Sequence, residues 1–283
     1  MKKIIDTHLH TWDIDKLDYY WLKNDTSILA KTYLLDEVHS QIADAGVTAA
    51  VLVQATNSLD ETDWFLQLAT QYKWVLGAVV WLPLNNPAAF NKAIETYSSN
   101  PYFKSVRHQI HDEADDDWLL QPNVIQSLQQ LAHQSIPYDL VGTKPAHIKT
   151  ALKVAEKIPD LKLVFDHLNQ PPFSNKTAWK QWAELMSEAA KNPNIYAKIS
   201  GLGTATSKPF EWTADDIKPA IELVLQQFGV ERIFCGSDWP VSLLAGTYAY
   251  TWHQYQLLLD SLLNEAAQQK VYTANAEKFY NLH

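Results

Sequence analysis

Two imidazoles separated by one residue, His8 and His10, close the first short apolar run of the chain. Side chains two apart on a strand share a face, so both rings can meet one divalent ion or flank one substrate oxygen. Taken alone, such a pair is as ordinary on a surface or in a core as at a ligand. Five later apolar runs also end in groups that are costly to bury without a partner. These are Arg107 with His108, then Asp139, then Asp166 with His167, then Lys198, and finally Asp238 in Gly236-Ser237-Asp238-Trp239-Pro240. Asp166 and His167 are neighbours, and alternation along a strand predicts that only one of them points inward.

His8, His10, His167 and Asp238 could hold one divalent metal with a position open for water or substrate. They could equally act without metal. Asp238 would then deprotonate a water while the imidazoles and Arg107 stabilise charge on a carbonyl oxygen. Either route is water attack on an ester, lactone or amide carbonyl. A serine nucleophile does not fit, because Gly-Ser-Asp around Ser237 is not a Gly-x-Ser-x-Gly elbow. Cys235 lies inside an apolar run, where thiols are usually inert. A two-metal site lacks a bridging lysine or glutamate after the fourth run, since Lys104 stands at its beginning. The ordinary alternative for Arg107 is a salt bridge to the acidic segment Asp112 to Asp117.

These groups need elements to hold them, and the chain alternates short apolar runs with amphipathic segments throughout. Strands are expected at 4–8, 48–54, 75–81, 105–109, 137–141, 161–166, 195–199 and 232–236. Leu35, Val38, Ile42 and Ala45 carry helical spacing with Gly46 as a stop. Ser58 and Glu61 suggest a capping box for a helix over 59–72. Further helices are expected at 87–98, 123–134, 145–157, 178–191, 215–228, 248–263 and 267–280. Eight such units fit a (β/α)₈ TIM barrel, whose catalytic groups sit at the C-terminal strand ends. An open doubly wound sheet is the competing architecture, but no Gly-rich phosphate loop follows the first strand. With no linker, repeat or low-complexity tract, one domain over 1–283 is expected.

Composition narrows the function classes. The chain has 283 residues, 8 glycines and 11 tryptophans, so it is poor in its most flexible residue and rich in its largest. A net charge of -9 argues against nucleic acid or an anionic membrane as partner. The single Cys235 cannot pair internally, and Asp6, His8 and His10 interrupt any signal-peptide core. No run approaches the ~18 apolar residues of a membrane span. A cytoplasmic location is the expectation. Trp12, Trp81 and Trp239 fall beside strand ends, where flat faces could stack on a ring, whereas Trp179, Trp182 and Trp252 fall in outer helices and should only pack.

Taken in order, Ile5-Asp6-Thr7-His8-Leu9-His10 with Trp12-Asp13 and Tyr20-Trp21-Leu22, then Val106-Arg107-His108, Asp166-His167-Leu168 and Lys198-Ile199-Ser200-Gly201-Leu202 resemble the sugar-lactonase group of the amidohydrolase superfamily. Gly236-Ser237-Asp238-Trp239-Pro240-Val241 and Asn275-Ala276-Glu277-Lys278-Phe279-Tyr280 complete the likeness, which spans nearly the whole chain. The group includes L-fuconolactone and L-rhamnonolactone hydrolases. The resemblance implies an amidohydrolase-type barrel that hydrolyses a sugar-acid lactone, with Asp238 as general base and His8, His10 and His167 around the reacting carbonyl. It implies substrate binding by Arg107, to which the strand-end positions add His108, Trp81, Asp139, Lys198 and Trp239. It also implies either no required cofactor or one divalent ion on His8, His10, His167 and Asp238, zinc first among candidates. The expected partner is a small-molecule lactone, with homo-oligomerisation left open. Two other readings compete: a metal-dependent decarboxylase of a small unsaturated or aromatic acid, and a non-catalytic binding barrel. The chain departs from the group at Asn169-Gln170-Pro171-Pro172, where relatives carry a Gly-Lys-Pro type turn, and in the acidic segment Asp112 to Trp118.

Overall fold

Valine, isoleucine and alanine fill the short runs because such side chains suit strands covered on both faces. In the computed structural model, which describes residues 3–282, these runs are β1 Ile5–Leu9, β2 Ala49–Val53, β3 Val75–Val80, β4 Phe103–His108, β5 Tyr138–Leu140, β6 Leu163–Phe165, β7 Ile195–Ile199 and β8 Ile233–Cys235. They pair in chain order from β1 to β8, parallel throughout. The return from β8 to β1 is a bridge between Leu9 and Trp239. There His10 N–H donates to Trp239 O at 2.7 Å and Asp238 N–H donates to His8 O at 2.8 Å. The architecture is a (β/α)₈ TIM barrel, not an open sheet.

Helices α1 Leu35–Asp44, α2 Leu59–Gln71, α3 Pro87–Tyr97, α4 Pro122–His133, α5 Pro145–Lys157, α6 Lys176–Ala189, α7 Leu202–Ala205, α8 Ala214–Phe228 and α9 Tyr248–Leu262 follow the strands. Polar side chains start several of them. Asn86 accepts from Ala89 N–H ahead of Pro87, and Asn175 accepts from the amides of Thr177 and Ala178. Ser58 caps α2 by accepting from Asp60 N–H, but the expected box with Glu61 does not form. The Glu61 carboxylate turns inward to the amides of Ala55 and Thr56. The last expected helix is also broken in two: α10 Glu265–Gln269 and α11 Asn275–Tyr280 flank a π-helical turn, Lys270–Ala274. Side-chain anchors explain the break. Thr273 Oγ1 donates to Lys3 O, and Asn275 Nδ2 donates to Val230 O and Ile233 O at 2.6 and 2.7 Å.

The core has two layers. Ile5, Val51, Val79, Val164, Tyr196 and Phe234 fill the barrel interior, which Phe279 and Tyr280 of α11 close from below. The alternate strand residues join the larger core between barrel and helices. Ile5 faces the interior while Leu9, four residues on, faces outward. A register irregularity between Asp6 and Leu9 accounts for the change of parity. No helix among the described residues is long and apolar enough to cross a membrane.

Candidate active site

Loop backbones after β1, β6, β7 and β8 bring the chemistry together. The Nε2 atoms of His8, His10 and His167 lie 3.7, 3.3 and 3.8 Å from Asp238 Oδ1, and the Nε2 atoms of His8 and His10 are 3.1 Å apart. His10 is oriented by Val53 O, 2.7 Å from its Nδ1. A carbonyl only accepts, so that nitrogen carries the proton. His167 N–H donates to Ser200 Oγ at 3.2 Å, and the same oxygen lies 2.9 Å from His167 Nδ1.

Two left-handed backbone segments make this convergence. Asp238 has φ 64°, and His167 to Gln170 run at φ 55, 51, 55 and 50°. Such values are uncommon outside glycine and are held here by the surrounding contacts. Because β6 ends at Phe165, the expectation that only one of Asp166 and His167 turns inward is wrong. His167 reaches Asp238, while Asp166 lies 3.3 Å from His8 Nδ1. Gly201 provides the needed space between them. A Cβ there would sit 2.6 Å from Asp238 Oδ2 and 2.8 Å from His167 Nδ1, at φ +58°. Gly201→Ala is expected to remove at least ten-fold of kcat through displacement of both groups. Steady-state kinetics unchanged from wild type would show that the two side chains can yield.

A buried charge layer lies beneath these groups. Lys198 Nζ is 2.6 Å from Asp139 Oδ2 and 2.7 Å from Asp166 Oδ1. Arg107 Nε is 3.2 Å from Asp166 Oδ2, and its Nη1 donates to Gln54 O at 3.0 Å. Asp139 also accepts from Ser105 Oγ and Tyr280 OH. Burial alone would raise Asp166, but Lys198, His8 and Arg107 hold its carboxyl well below the usual range. Burial raises Asp139, partly offset by Lys198. Burial keeps the His8 imidazole well below its ordinary pKa even beside Asp166, and it lowers His167 in the same way.

The cavity above is walled by His10, His167, Asp238, Arg107, Trp12 and Trp21, together with Gln54, Gln109, His111, Asp112, Thr143, Gln170 and Thr204. Of the positions expected to bind substrate, Arg107 is on this wall, but its acidic partner is Asp166 and not the 112–117 segment. The other five are elsewhere, for local reasons. Asp139 and Lys198 are fully buried in the layer below. His108 is stacked on Trp118 at 3.9 Å, with its Nε2 2.7 Å from Glu113 Oε1 and its Nδ1 accepting from Trp81 Nε1 at 2.9 Å. Thus His108 and Trp81 fix the acidic segment. Trp239 packs edge-on against Tyr33 and is buried. His8 is wholly buried behind His10. Trp21, which the Tyr20-Trp21-Leu22 motif alone does not place at a strand end, is also on the wall. It packs edge-on against Trp12 at 5.1 Å, and its Nε1 donates to Ala55 O.

Glu61, expected from sequence only as a capping-box partner of Ser58, braces the same wall. Its Oε2 accepts from Ala55 and Thr56 N–H at 2.9 and 3.1 Å, and Ala55 O in turn accepts from Trp21 Nε1 and Gln109 Nε2. Burial pushes the carboxyl up to about 8 against those two amides. A raised folded pKa means that Glu61 favours the folded state below its unfolded pKa. That contribution is lost as pH rises from 4.5 through about 8. Glutamine can keep the amide contacts without titrating. Glu61→Gln is expected to flatten the decline of unfolding free energy across this window in urea titrations. An unaltered slope would place the titration elsewhere.

Three of the upper donors, those of His8, His10 and Asp238, also suit a cation. Zinc–nitrogen bonds of about 2.0–2.1 Å at tetrahedral angles separate donor atoms by about 3.3 Å. The three separations among them, 3.1, 3.3 and 3.7 Å, bracket that value, whereas His167 groups with His8 and Asp166. His10, with Nδ1–H tied to a carbonyl, has the outer-shell arrangement typical of a metal-binding imidazole. The site is therefore a candidate divalent-metal site.

Similarity to known proteins agrees with this geometry. The chain is 29% identical over 281 residues to an L-fucono-1,5-lactonase of Burkholderia ambifaria, covering 98% of this chain and 95% of the relative. An amidohydrolase from Burkholderia multivorans superposes with a TM-score of 0.92 when crystallised with bound Hepes and 0.91 with bound zinc. In both cases the identity is 27% and 99% of each chain is covered. A dihydroxybenzoic acid decarboxylase from Polaromonas, solved with manganese, superposes at 0.67 over 99% of this chain and 96% of its own. At 14% identity that likeness concerns the fold alone. The amidohydrolase family model matches residues 5–282, so the chain belongs to the amidohydrolase family.

Proposed function

We propose that the chain opens a small lactone, a sugar-acid (aldono-) lactone first among candidates, by Asp238-activated attack of water on the ring carbonyl. The observation that carries this reading is the convergence of three imidazole Nε2 atoms on Asp238 Oδ1 at the floor of a cavity that, among the described residues, no serine, cysteine or lysine lines. The near-full-length likeness to an L-fucono-1,5-lactonase supports the substrate class. Asp238 takes a proton from water as the new C–O bond forms, then returns it to the ring oxygen as the old bond breaks. His10 and His167 face the oxygen on which charge develops, and such preorganised donors stabilise it. Arg107, Gln109, Gln170 and Thr204 offer polar groups to ring hydroxyls, and Trp12 and Trp21 offer apolar faces to ring carbons. A divalent ion on His8, His10, His167 and Asp238, zinc first among candidates, would supply Lewis acidity there.

A decarboxylase reading gains nothing specific from this wall. Arg107, a cation on that wall, is already paired with Asp166, and Asp112 lies on the same wall. The deciding assay is acid release from a panel of aldono-1,4- and 1,5-lactones, with and without chelator. The expected result is turnover of a subset of lactones. Release of carbon dioxide from an aromatic acid, with every lactone inert, would overturn the proposal.

A further inference from the structure

An irregularity in β1 decides which way His8 and His10 face, and one buried carboxylate sits on it. Ile5 pairs with Ala49 and Asp6 with Ala50, but the next partners are Leu9 and Leu52. Three steps along β1 therefore match two along β2, so β1 carries one extra residue, a β-bulge. Side chains alternate along a regular strand. Because Ile5 points into the barrel, an unbroken strand would send Thr7 and Leu9 inward and both imidazoles outward, against the helices. With the extra residue, Leu9 joins the outer core, and His8 and His10 meet Asp238. Asp6 Oδ1 accepts from His8 N–H at 3.1 Å, inside the bulge, and from Ser237 N–H at 2.8 Å. Its Oδ2 accepts from Tyr248 OH of α9 at 3.1 Å. One oxygen thus ties the bulge to the loop after β8, one residue before Asp238. Gly236 leaves room for this approach, since a Cβ there would sit 2.6 Å from His8 N and 2.5 Å from His8 Cβ. Asp6 is wholly buried and does not line the cavity.

We propose that Asp6 is a positioning residue: its Oδ1 holds the β1 bulge and so turns His8 and His10 into the barrel mouth, in register with Asp238. The acceptor and not the charge is what the two amides require, because each needs only a lone pair at that oxygen. Asparagine offers the same oxygen and can direct its own amide group at the Tyr248 oxygen. Leucine is similar in size but leaves both buried amides unpaired, which is costly unless the backbone moves. The inference concerns how the imidazoles are aimed, and only the kinetic arm of its test rests on the lactone reading.

The test combines crystal structures of full-chain variants with kinetics on an accepted lactone. In Asp6→Leu, His8 and His10 are expected to move away from Asp238, with kcat lowered by about 10²-fold, the scale of a misplacement of about an ångström. Asp6→Asn is expected to keep the bulge and to recover most of that loss. Tyr248→Phe removes the third donor alone, so it should lower the melting temperature while the bulge and kcat persist. Should Asp6→Leu not fold, Asp6→Ser replaces it with the same expectation, since its shorter hydroxyl cannot reach both amides. If neither folds, Asp6→Asn decides, with an intact bulge expected. The proposal is overturned if a folded loss variant keeps His8, His10 and Asp238 in the wild-type arrangement, or if Asp6→Asn is displaced as far as that variant. It is equally overturned if Tyr248→Phe loses as much kcat as Asp6→Leu, because the carboxylate would then act by anchoring α9. If the wild type turns over no lactone, the lactone reading fails, and the crystal structures still decide this proposal.

Discussion

Asp238→Asn is expected to lower kcat on an accepted lactone by about 10²–10⁴-fold, the usual cost of losing a positioned general base. The substitution is isosteric, so what changes is the ability to take and return a proton. The main-chain ties that hold the residue at φ 64° are its N–H to His8 O at 2.8 Å and its C=O from Ser242 N–H at 2.8 Å. Neither involves the carboxylate, so the melting temperature should stay near that of wild type. The substitution leaves the imidazoles of His10 and His167 in place, so any carbonyl-stabilising role they have survives in part. Residual activity well above the uncatalysed rate is therefore compatible with the mechanism. Near-normal kcat would remove Asp238 from it.

How far the site could be read from sequence depended on whether strand parity held. His8 and His10 were legible because a spacing of two survives on a strand whatever its register, and both rings do meet. Asp238 was legible because the run before it is apolar and the residue after it closes the barrel. Parity failed at Asp166-His167, where β6 stops one residue early and a left-handed turn sends both side chains inward. No composition signal marks four consecutive non-glycine residues with positive φ. Depth was invisible too. Asp139 and Lys198 do point into the barrel, but below the cavity, since β5 ends at Leu140 and β7 at Ile199. The loop residues Trp21, Gln109 and Gln170 reach the wall through tertiary contacts that no periodicity encodes. The helices were easier, because caps and apolar spacing are local. The broken final helix was the exception, as its break answers to distant carbonyls of Val230 and Ile233.

The failure of parity at Asp166 makes this residue the keystone of the lower layer, and Asp166→Asn should destabilise the protein by about 3–5 kcal/mol, the range for leaving a buried charge uncompensated. Asp166 is the carboxylate for Arg107 at 3.2 Å and one of two for Lys198. After substitution Arg107 keeps only the Gln54 carbonyl among these contacts, and Lys198 keeps Asp139. Asparagine has the right shape but cannot balance a guanidinium and half an ammonium, so loss of charge and not loss of volume is the cause. The sign of the pH dependence separates this from a packing defect. The Asp166 carboxyl is held well below its unfolded value, so its stabilising contribution is present above the unfolded pKa of 3.8 and is lost as pH falls through the folded one. Urea titrations from pH 7 downward should therefore show the wild type losing stability toward acid more steeply than Asp166→Asn, with the two curves converging. A constant offset between the curves at every pH would mean that the residue acts through shape alone.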